Sequence, residues 1–254
     1  MSDELVHLDV TDGVATITLD SPANRNALSR RLLDELEARL AAVAADADVR
    51  VVLLAATGST FCAGADLSEA TGGSMEEGAQ RLLALLRAVV ELPKPVVARV
   101  HGHVRAGGIG LVAACDVAVA AEESTFAFSE ARLGLTPAVI SVTVLPRMTE
   151  RSGARYFLGG DPFDGREAAR TGLVTTAVPE ASLSEVVDGV VAALCAGSPQ
   201  GLAETKRLLT GPMLRRFDEL GGPMAELSAR LFGSDEAREG MRAFLERRPP
   251  RWAS

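Results

Sequence analysis

Apolar and polar positions alternate along the first two thirds of the chain in a way that changes period repeatedly. Residues 5–10 and 14–19 are two short runs on either side of Asp12-Gly13, a dipeptide suited to a tight hairpin. Within the second, Thr16-Ile17-Thr18-Leu19 alternates as a half-buried strand does. A turn-rich stretch, 21–28, follows. Then Leu32, Leu33, Leu36, Leu40 and Val43 recur at helical spacing behind Ser29, a predicted N-cap. Residues 51–55, 96–100 and 117–121 are continuous apolar runs, the pattern of strands buried on both faces. Between them lie a predicted helix opened by Ser74-Met-Glu-Glu77, with Leu82, Leu83, Leu86, Val89 and Val90 as its buried stripe, and a small-residue helix over 107–114. Pro93 and Pro95 end the first of these.

This alternation predicts an α/β fold with crossover connections. A last strand-like run spans 172–178. From Ser182 onward only amphipathic helices are expected, starting near Ser182, Ser198 and Ser234. We therefore divide the chain into an α/β core, 1–195, and a helical C-terminal section, 196–254.

Composition narrows the function classes. Of 254 residues 47% are hydrophobic and 24% charged, which suits a globular chain and excludes a disordered one. Apolar stretches such as 51–56 and 107–115 fall far short of the about 20 residues that span a bilayer. No basic segment followed by an apolar run opens the sequence, so a cytoplasmic protein without a membrane partner is expected. The net charge is −8 and lysine is nearly absent. No basic stripe is available to neutralise phosphates, which argues against a nucleic-acid partner. Cys62, Cys115 and Cys195 are too widely spaced for a disulfide framework or a metal pair and are expected as buried free thiols. His101-Gly-His103 lacks a third ligand at suitable spacing, so no metal is expected.

Two loops carry the candidate chemistry. Phe61-Cys-Ala-Gly-Ala-Asp-Leu67 follows the run 51–55, and His101-Gly-His-Val-Arg-Ala-Gly-Gly-Ile-Gly110 follows the run 96–100. Both are strand-to-helix turns of small residues, which expose unpaired backbone N–H groups and let a ligand approach the main chain closely. Two such turns at neighbouring strand ends can direct two N–H groups at one developing oxyanion. The same glycines and alanines also suit tight helix–sheet packing, and spacing alone leaves both readings open. Gly108-Ile-Gly110-Leu-Val-Ala113 has the GxGxxA spacing of a dinucleotide fingerprint, but its first glycine lies eight residues after Val100 rather than at the strand end.

The first loop resembles the first signature of the crotonase, or enoyl-CoA hydratase/isomerase, superfamily, and residues 95–116, which contain the second loop, resemble its second signature. Asn24-Arg-Asn-Ala-Leu-Ser29 is similar to that family's N-terminal CoA-binding turn. Phe126-Ala-Phe-Ser-Glu-Ala-Arg-Leu-Gly-Leu-Thr-Pro137 is similar to its third signature, and residues 165–174 to a later block in which a helix leads into a final strand. The resemblance runs from about residue 5 to the C-terminus. It implies a spiral of ββα units with a C-terminal helical trimerisation section, hence a homotrimer or dimer of trimers. It implies an acyl-CoA thioester as substrate and no separate cofactor, since coenzyme A arrives with the substrate.

By motif position the resemblance implies that the N–H groups of Ala65 and Gly107 hold the thioester oxygen as it becomes an enolate. Glu130 is then the acid/base. Family hydratases typically carry a second glutamate three residues after the oxyanion glycine, and here that position is Gly110. Arg25 is the expected phosphate or adenine contact. Ala27, Leu28, Ala63, Asp66, Leu67, Gly108 and Pro137 complete the expected substrate and CoA contacts. Phe244, Arg247 and Trp252 resemble positions that reach a neighbouring subunit's CoA in some relatives. Residues 133–141 resemble methylglutaconyl-type hydratases, which favours hydration of a branched, carboxylated or ordinary 2-enoyl-CoA over 3-enoyl to 2-enoyl isomerisation. A non-catalytic acyl-CoA binder and a nucleotide-dependent oxidoreductase are the further alternatives. Arg105 and Arg132 each admit two roles, a solvated charge or a partner for a substrate carboxylate.

Overall fold

The computed structural model describes residues 4–66, 69 and 75–253. Leu67, one of the expected contacts, and Ser74, the expected cap of the second helix, lie outside the described residues. The chain opens with a hairpin, β1 (Val6–Thr11) and β2 (Val14–Leu19), paired antiparallel. Its turn places Asp12 and Gly13 at φ 51° and 80°, the left-handed geometry that the dipeptide favours. Helix α1 (Arg30–Ala45) follows, and the Ser29 hydroxyl accepts the Leu32 N–H as its cap.

Three β–β–helix units come next. In each, a long strand joins one sheet, a three-residue strand joins a second sheet, and a helix or helical turn returns across the core. The first is β3 (Val51–Ala56), β4 (Thr60–Cys62) and α2 (Met75–Glu91). The second is β5 (Val96–Val100), β6 (His103–Arg105) and α3 (Gly107–Ala114). The third is β7 (Val117–Ala121) and β8 (Thr125–Ala127), followed by a short helical turn, Glu130–Leu133, and α4 (Ala138–Val144). Helix α5 (Glu150–Gly159), strand β9 (Phe163–Asp164), helix α6 (Gly165–Thr171) and strand β10 (Thr176–Val178) close the sheets. Their orders are β1-β2-β3-β5-β7-β10 and β4-β6-β8-β9, parallel except for β1 with β2 and β8 with β9. This is the expected spiral of ββα units.

The strand expected over 172–178 is shorter than its apolar pattern. Gly172, at φ 87°, ends α6, and the N–H groups of Leu173 and Val174 bond back to the Ala168 carbonyl. Only Thr176–Val178 reaches the sheet, against β7.

Helix α7 (Leu183–Cys195) packs its Leu183, Val187 and Val191 on β3, β5 and β7 of the large sheet, and α8 (Pro199–Phe232) and α9 (Asp235–Leu245) form the C-terminal helical region. Each follows a serine read from the sequence, and the Ser198 and Ser234 hydroxyls cap α8 and α9. Met213, Phe217 and Ala225 of α8 join the same hydrophobic core as α2 and α4. An ion pair secures that packing. Lys206, 5% exposed, contacts Asp116 at 2.8 Å and donates to the Val89 and Lys94 carbonyls at 3.0 Å each. Asp116 in turn accepts the Val96 N–H at 2.7 Å. A buried ammonium with three acceptors has its desolvation offset, so α8 is held to the start of β5.

Candidate active site

The turn 21–28 is organised by one buried side chain. Asn26 sits at φ 52°, a conformation that asparagine tolerates better than most residues. Its Nδ2 donates to the Thr57 and Thr60 carbonyls at 2.9 and 2.8 Å, and its Oδ1 accepts the Ser21 N–H at 2.7 Å. Asn26→Ala strands two carbonyls and one N–H in the interior. We expect a loss of about 1–3 kcal/mol, read as a lower urea midpoint at unchanged slope.

From this anchor the turn is laced to the loop 61–66. Leu28 N–H donates to the Gly64 carbonyl at 2.8 Å, Ala63 N–H to the Arg25 carbonyl at 3.1 Å, and Asn24 Nδ2 to Asp66 Oδ2 at 2.8 Å. That loop in turn touches the glycine loop. A Cβ on Gly64 would stand 2.9 Å from the Ala106 Cβ and 3.1 Å from the Arg105 carbonyl oxygen, so no larger residue fits there. Ala106 itself adopts φ 43°, ψ −116°, a strained conformation for a residue with a Cβ, immediately before α3. Gly107, the first residue of that helix, lies against Leu28 and Leu82. Among the described residues, neither the Ala65 nor the Gly107 N–H donates to an acceptor. The two loops thus present two free donors on neighbouring turns, and the α3 N-terminus adds its positive dipole end.

Glu130 begins the turn Glu130–Leu133. The turn ends at Gly134, φ 72°, and is backed by α9. A Cβ on Gly134 would stand 2.6 Å from the Glu236 carbonyl carbon, and one on Gly240 would stand 2.4 Å from the Leu133 carbonyl oxygen. The Glu130 Oε2 is buried and has no hydrogen-bond partner. Burial pushes the carboxyl up to about 7, against a smaller opposing effect from its own backbone N–H.

Ala65, Gly107 and Glu130 line one cleft, together with Leu28, Asp66 and Pro137 of the expected contacts. Its space is about 1130 Å³, open mouth included. Arg25, Ala27, Ala63 and Gly108 do not line it. Arg25 is exposed on its turn, Ala27 is buried, and Ala63 is half-buried. Gly108 packs on β4, where a Cβ would meet the Cys62 Cβ at 2.7 Å. It serves the close approach of helix and strand.

Both ambiguous arginines turn away from the cleft. Arg105 donates to the Val104 and Thr125 carbonyls at 2.8 and 2.6 Å and to the Thr125 hydroxyl at 3.0 Å, bracing the small sheet. Arg132 donates to the Gly159 carbonyl at 2.9 Å and pairs with Asp161. His101 and His103 also have separate partners, the Gly58 carbonyl and the Thr125 hydroxyl. Among the described residues no cluster of three His, Cys, Asp or Glu side chains is placed to hold a metal. Cys62 and Cys115 are buried free thiols, each pushed by burial up to about 12, and Cys195 is a half-buried one.

Several cleft residues escaped the motif reading. Arg30, Glu69 and Arg81 stand on its rim, Leu82 and Ile140 on its inner wall, and Ser228 and Phe232 reach it from α8. Helical spacing puts Leu82 in a buried stripe, but it and Leu83 are half-buried, whereas Leu85, Leu86, Val89 and Val90 are buried; spacing does not say what a stripe residue faces. Phe232 has no local signal at all, because its neighbours in the cleft are remote in sequence.

The position three residues after Gly107 has no room for a side chain. A Cβ on Gly110 would stand 2.6 Å from Ile140 Cγ2, 3.0 Å from Ile140 Cβ and 3.3 Å from Leu86 Cδ1.

Comparison with known proteins agrees with this architecture. The sequence profile of the enoyl-CoA hydratase/isomerase family matches residues 9–254. A probable enoyl-CoA hydratase of Bacillus subtilis (strain 168) is 34% identical over 253 residues, covering 97% of this chain and 98% of that one. The mitochondrial enoyl-CoA hydratase domain-containing protein 3 of Danio rerio is 30% identical over 264 residues, covering 100% and 90%. The crystal structure of an enoyl-CoA hydratase from Mycobacterium avium superposes with a TM-score of 0.93 at 50% identity, covering 99% of this chain and 100% of that one.

Proposed function

Since the chain belongs to the enoyl-CoA hydratase/isomerase family, we propose that it hydrates a 2-enoyl-CoA thioester, with Glu130 as its single acid/base and the Ala65 and Gly107 N–H groups as its oxyanion donors. The observation that carries this reading is the buried, partnerless Oε2 of Glu130 in the same cleft as two unpaired backbone donors.

The chemistry balances with those groups alone. The thioester oxygen accepts both N–H bonds, which draws electron density from C3. Glu130, ionised, takes a proton from water as the water oxygen bonds to C3, and the thioester becomes an enolate. Charge accumulates on the oxygen that the two donors face, and each such donor contributes about 3 kcal/mol to transition-state stability. Glu130 then returns the proton to C2 and regains its starting state. A carboxyl that titrates near neutral pH is suited to both steps, because it exchanges its proton with little cost in either direction.

Incubation with a panel of 2-enoyl-CoA thioesters, read by mass spectrometry, should give products heavier by one water. The free-enzyme pH profile of kcat/KM should rise through about 7 as Glu130 ionises. A panel returned unchanged would sink the hydratase reading.

The closed space over Gly110 gives one alternative specific support. A single carboxylate suffices to move a proton between C2 and C4, which is 3-enoyl to 2-enoyl isomerisation. Conversion of 3-hexenoyl-CoA to its 2-enoyl isomer without water addition would favour that assignment.

A further inference from the structure

We infer that the inner end of the cleft accepts an uncharged aliphatic acyl group, and that Ile140 sets how far this group extends. The inference rests on the acyl-CoA reading above and adds the class of acyl chain.

Charge is segregated along the cleft. Arg30, Glu69 and Glu77 are exposed at its rim, and Arg81 there is paired with Asp34. Behind the rim the wall is buried and apolar, made by Leu28 and Leu33 of the first helix region, Ala79 of α2, and Ala138, Val139 and Ile140 of α4. Glu130 is the one ionisable side chain of the cleft that burial perturbs strongly, and it is an acid. A carboxylate at the far end of an acyl chain therefore meets no cation inside and shares the space with another carboxylate.

The two arginines that the sequence places nearest the reacting groups are committed elsewhere. Arg105 is held by two carbonyls and a hydroxyl of the small sheet, and Arg132 by Gly159 and Asp161 on the outside. Residues 67–68 and 70–74, which lie outside the described residues, contain no Lys, Arg or His. Among the described residues no Lys, Arg or His lines the cleft behind its rim, and an unpaired charge moved from water into an apolar wall binds poorly.

Ile140 fixes the depth. It is 3% exposed, lines the cleft, and rests directly on Gly110 of α3 with Leu86 beside it. Its branched side chain fills the space that the glycine leaves open. Shortening it joins that space to the cleft, where a longer or branched acyl chain can enter. Each additional methylene buried in such a pocket changes discrimination by about 10-fold or more.

The test uses saturated thioesters, which cannot be hydrated, so binding is read apart from turnover. Hexanoyl-CoA and glutaryl-CoA are close in size and differ in charge. Titration calorimetry should show hexanoyl-CoA binding at least about 10-fold more tightly. Equal or tighter binding of glutaryl-CoA overturns the inference. In Ile140→Ala the affinity ratio of decanoyl-CoA to hexanoyl-CoA should rise about 10-fold, and Ile140→Val should move it less in the same direction. An unchanged ratio in both variants overturns the role of Ile140. If neutral chains are preferred but the 2-enoyl panel returns unhydrated, the hydratase assignment fails and this inference stands. If hydration occurs but anionic chains are preferred, the reverse holds. Failure of every thioester to bind overturns both.

Discussion

Glu130→Gln should lower turnover of the hydrated thioester by about 10²–10⁴-fold and, in the same molecule, remove a penalty on folding at alkaline pH. The first effect follows from the proposed role, since glutamine neither takes nor returns a proton. The second follows from burial alone. Folded Glu130 holds its proton up to about 7, whereas the unfolded chain releases it near 4.5. Between those values the unfolded state binds fewer protons, so wild-type stability falls as pH rises through this window and levels off above it. The shift corresponds to about 3 kcal/mol. Glutamine does not titrate, so any fixed cost of its amide against the unpaired Oε2 site cancels when two pH values are compared. The stability of the variant relative to wild type should therefore improve by about 3 kcal/mol between pH 4.5 and pH 8. Chemical denaturation of both proteins at each pH measures this. A difference that does not change with pH would show that the carboxyl is not held neutral by burial. Retained turnover would remove Glu130 from the mechanism. A group that costs stability while serving chemistry is the expected compromise at a catalytic position.

The parts of this fold that were legible are those whose cause is local. Strands 96–100 and 117–121 and the helix over 107–114 appear at the residues their apolar runs give, because a strand buried on both faces has no other composition. Ser29, Ser198 and Ser234 cap helices as read, since a cap is a contact within four residues. The second sheet was not legible. Strands Thr60–Cys62, His103–Arg105 and Thr125–Ala127 are three residues each, too short for a period to register, and they exist because each follows a long strand around the same spiral. The site divides in the same way. The small-residue loops announced their free N–H groups, which are properties of the backbone. Ile140 did not announce itself, because its importance lies in what it touches on α3, and neither helix carries the contact in its own pattern.

That contact makes Gly110→Glu the substitution with the largest expected effect on the folded protein. By resemblance alone, glutamate here would appear to restore a second acid. The geometry says otherwise. Its Cβ would fall 2.6 Å from Ile140 Cγ2 and 3.0 Å from Ile140 Cβ, with Leu86 Cδ1 at 3.3 Å behind. Ile140 and Leu86 are 3% and 0% exposed, so neither has free space to retreat into. Overpacking by a few methylene equivalents alone costs about 1–3 kcal/mol, and the carboxylate adds the penalty of a charge with no partner. Together these approach the whole stability of a typical domain, about 5–15 kcal/mol. We expect Gly110→Glu to accumulate as insoluble protein, and Gly110→Ala to remain folded with the smaller loss. Because the obstacle is one side chain, Gly110→Glu combined with Ile140→Ala should recover soluble protein, a coupling that two independent sites do not show. Soluble Gly110→Glu with wild-type thermal stability would mean that α3 and α4 are not in close contact at this point. If the double variant is as insoluble as the single one, the obstacle is the charge rather than Ile140. The predicted rescue thus separates shape from electrostatics as the reason residue 110 carries no acid. On the geometry, shape comes first: Ile140 occupies the volume that a second glutamate needs, so sequence change at residue 110 is conditional on change at residue 140.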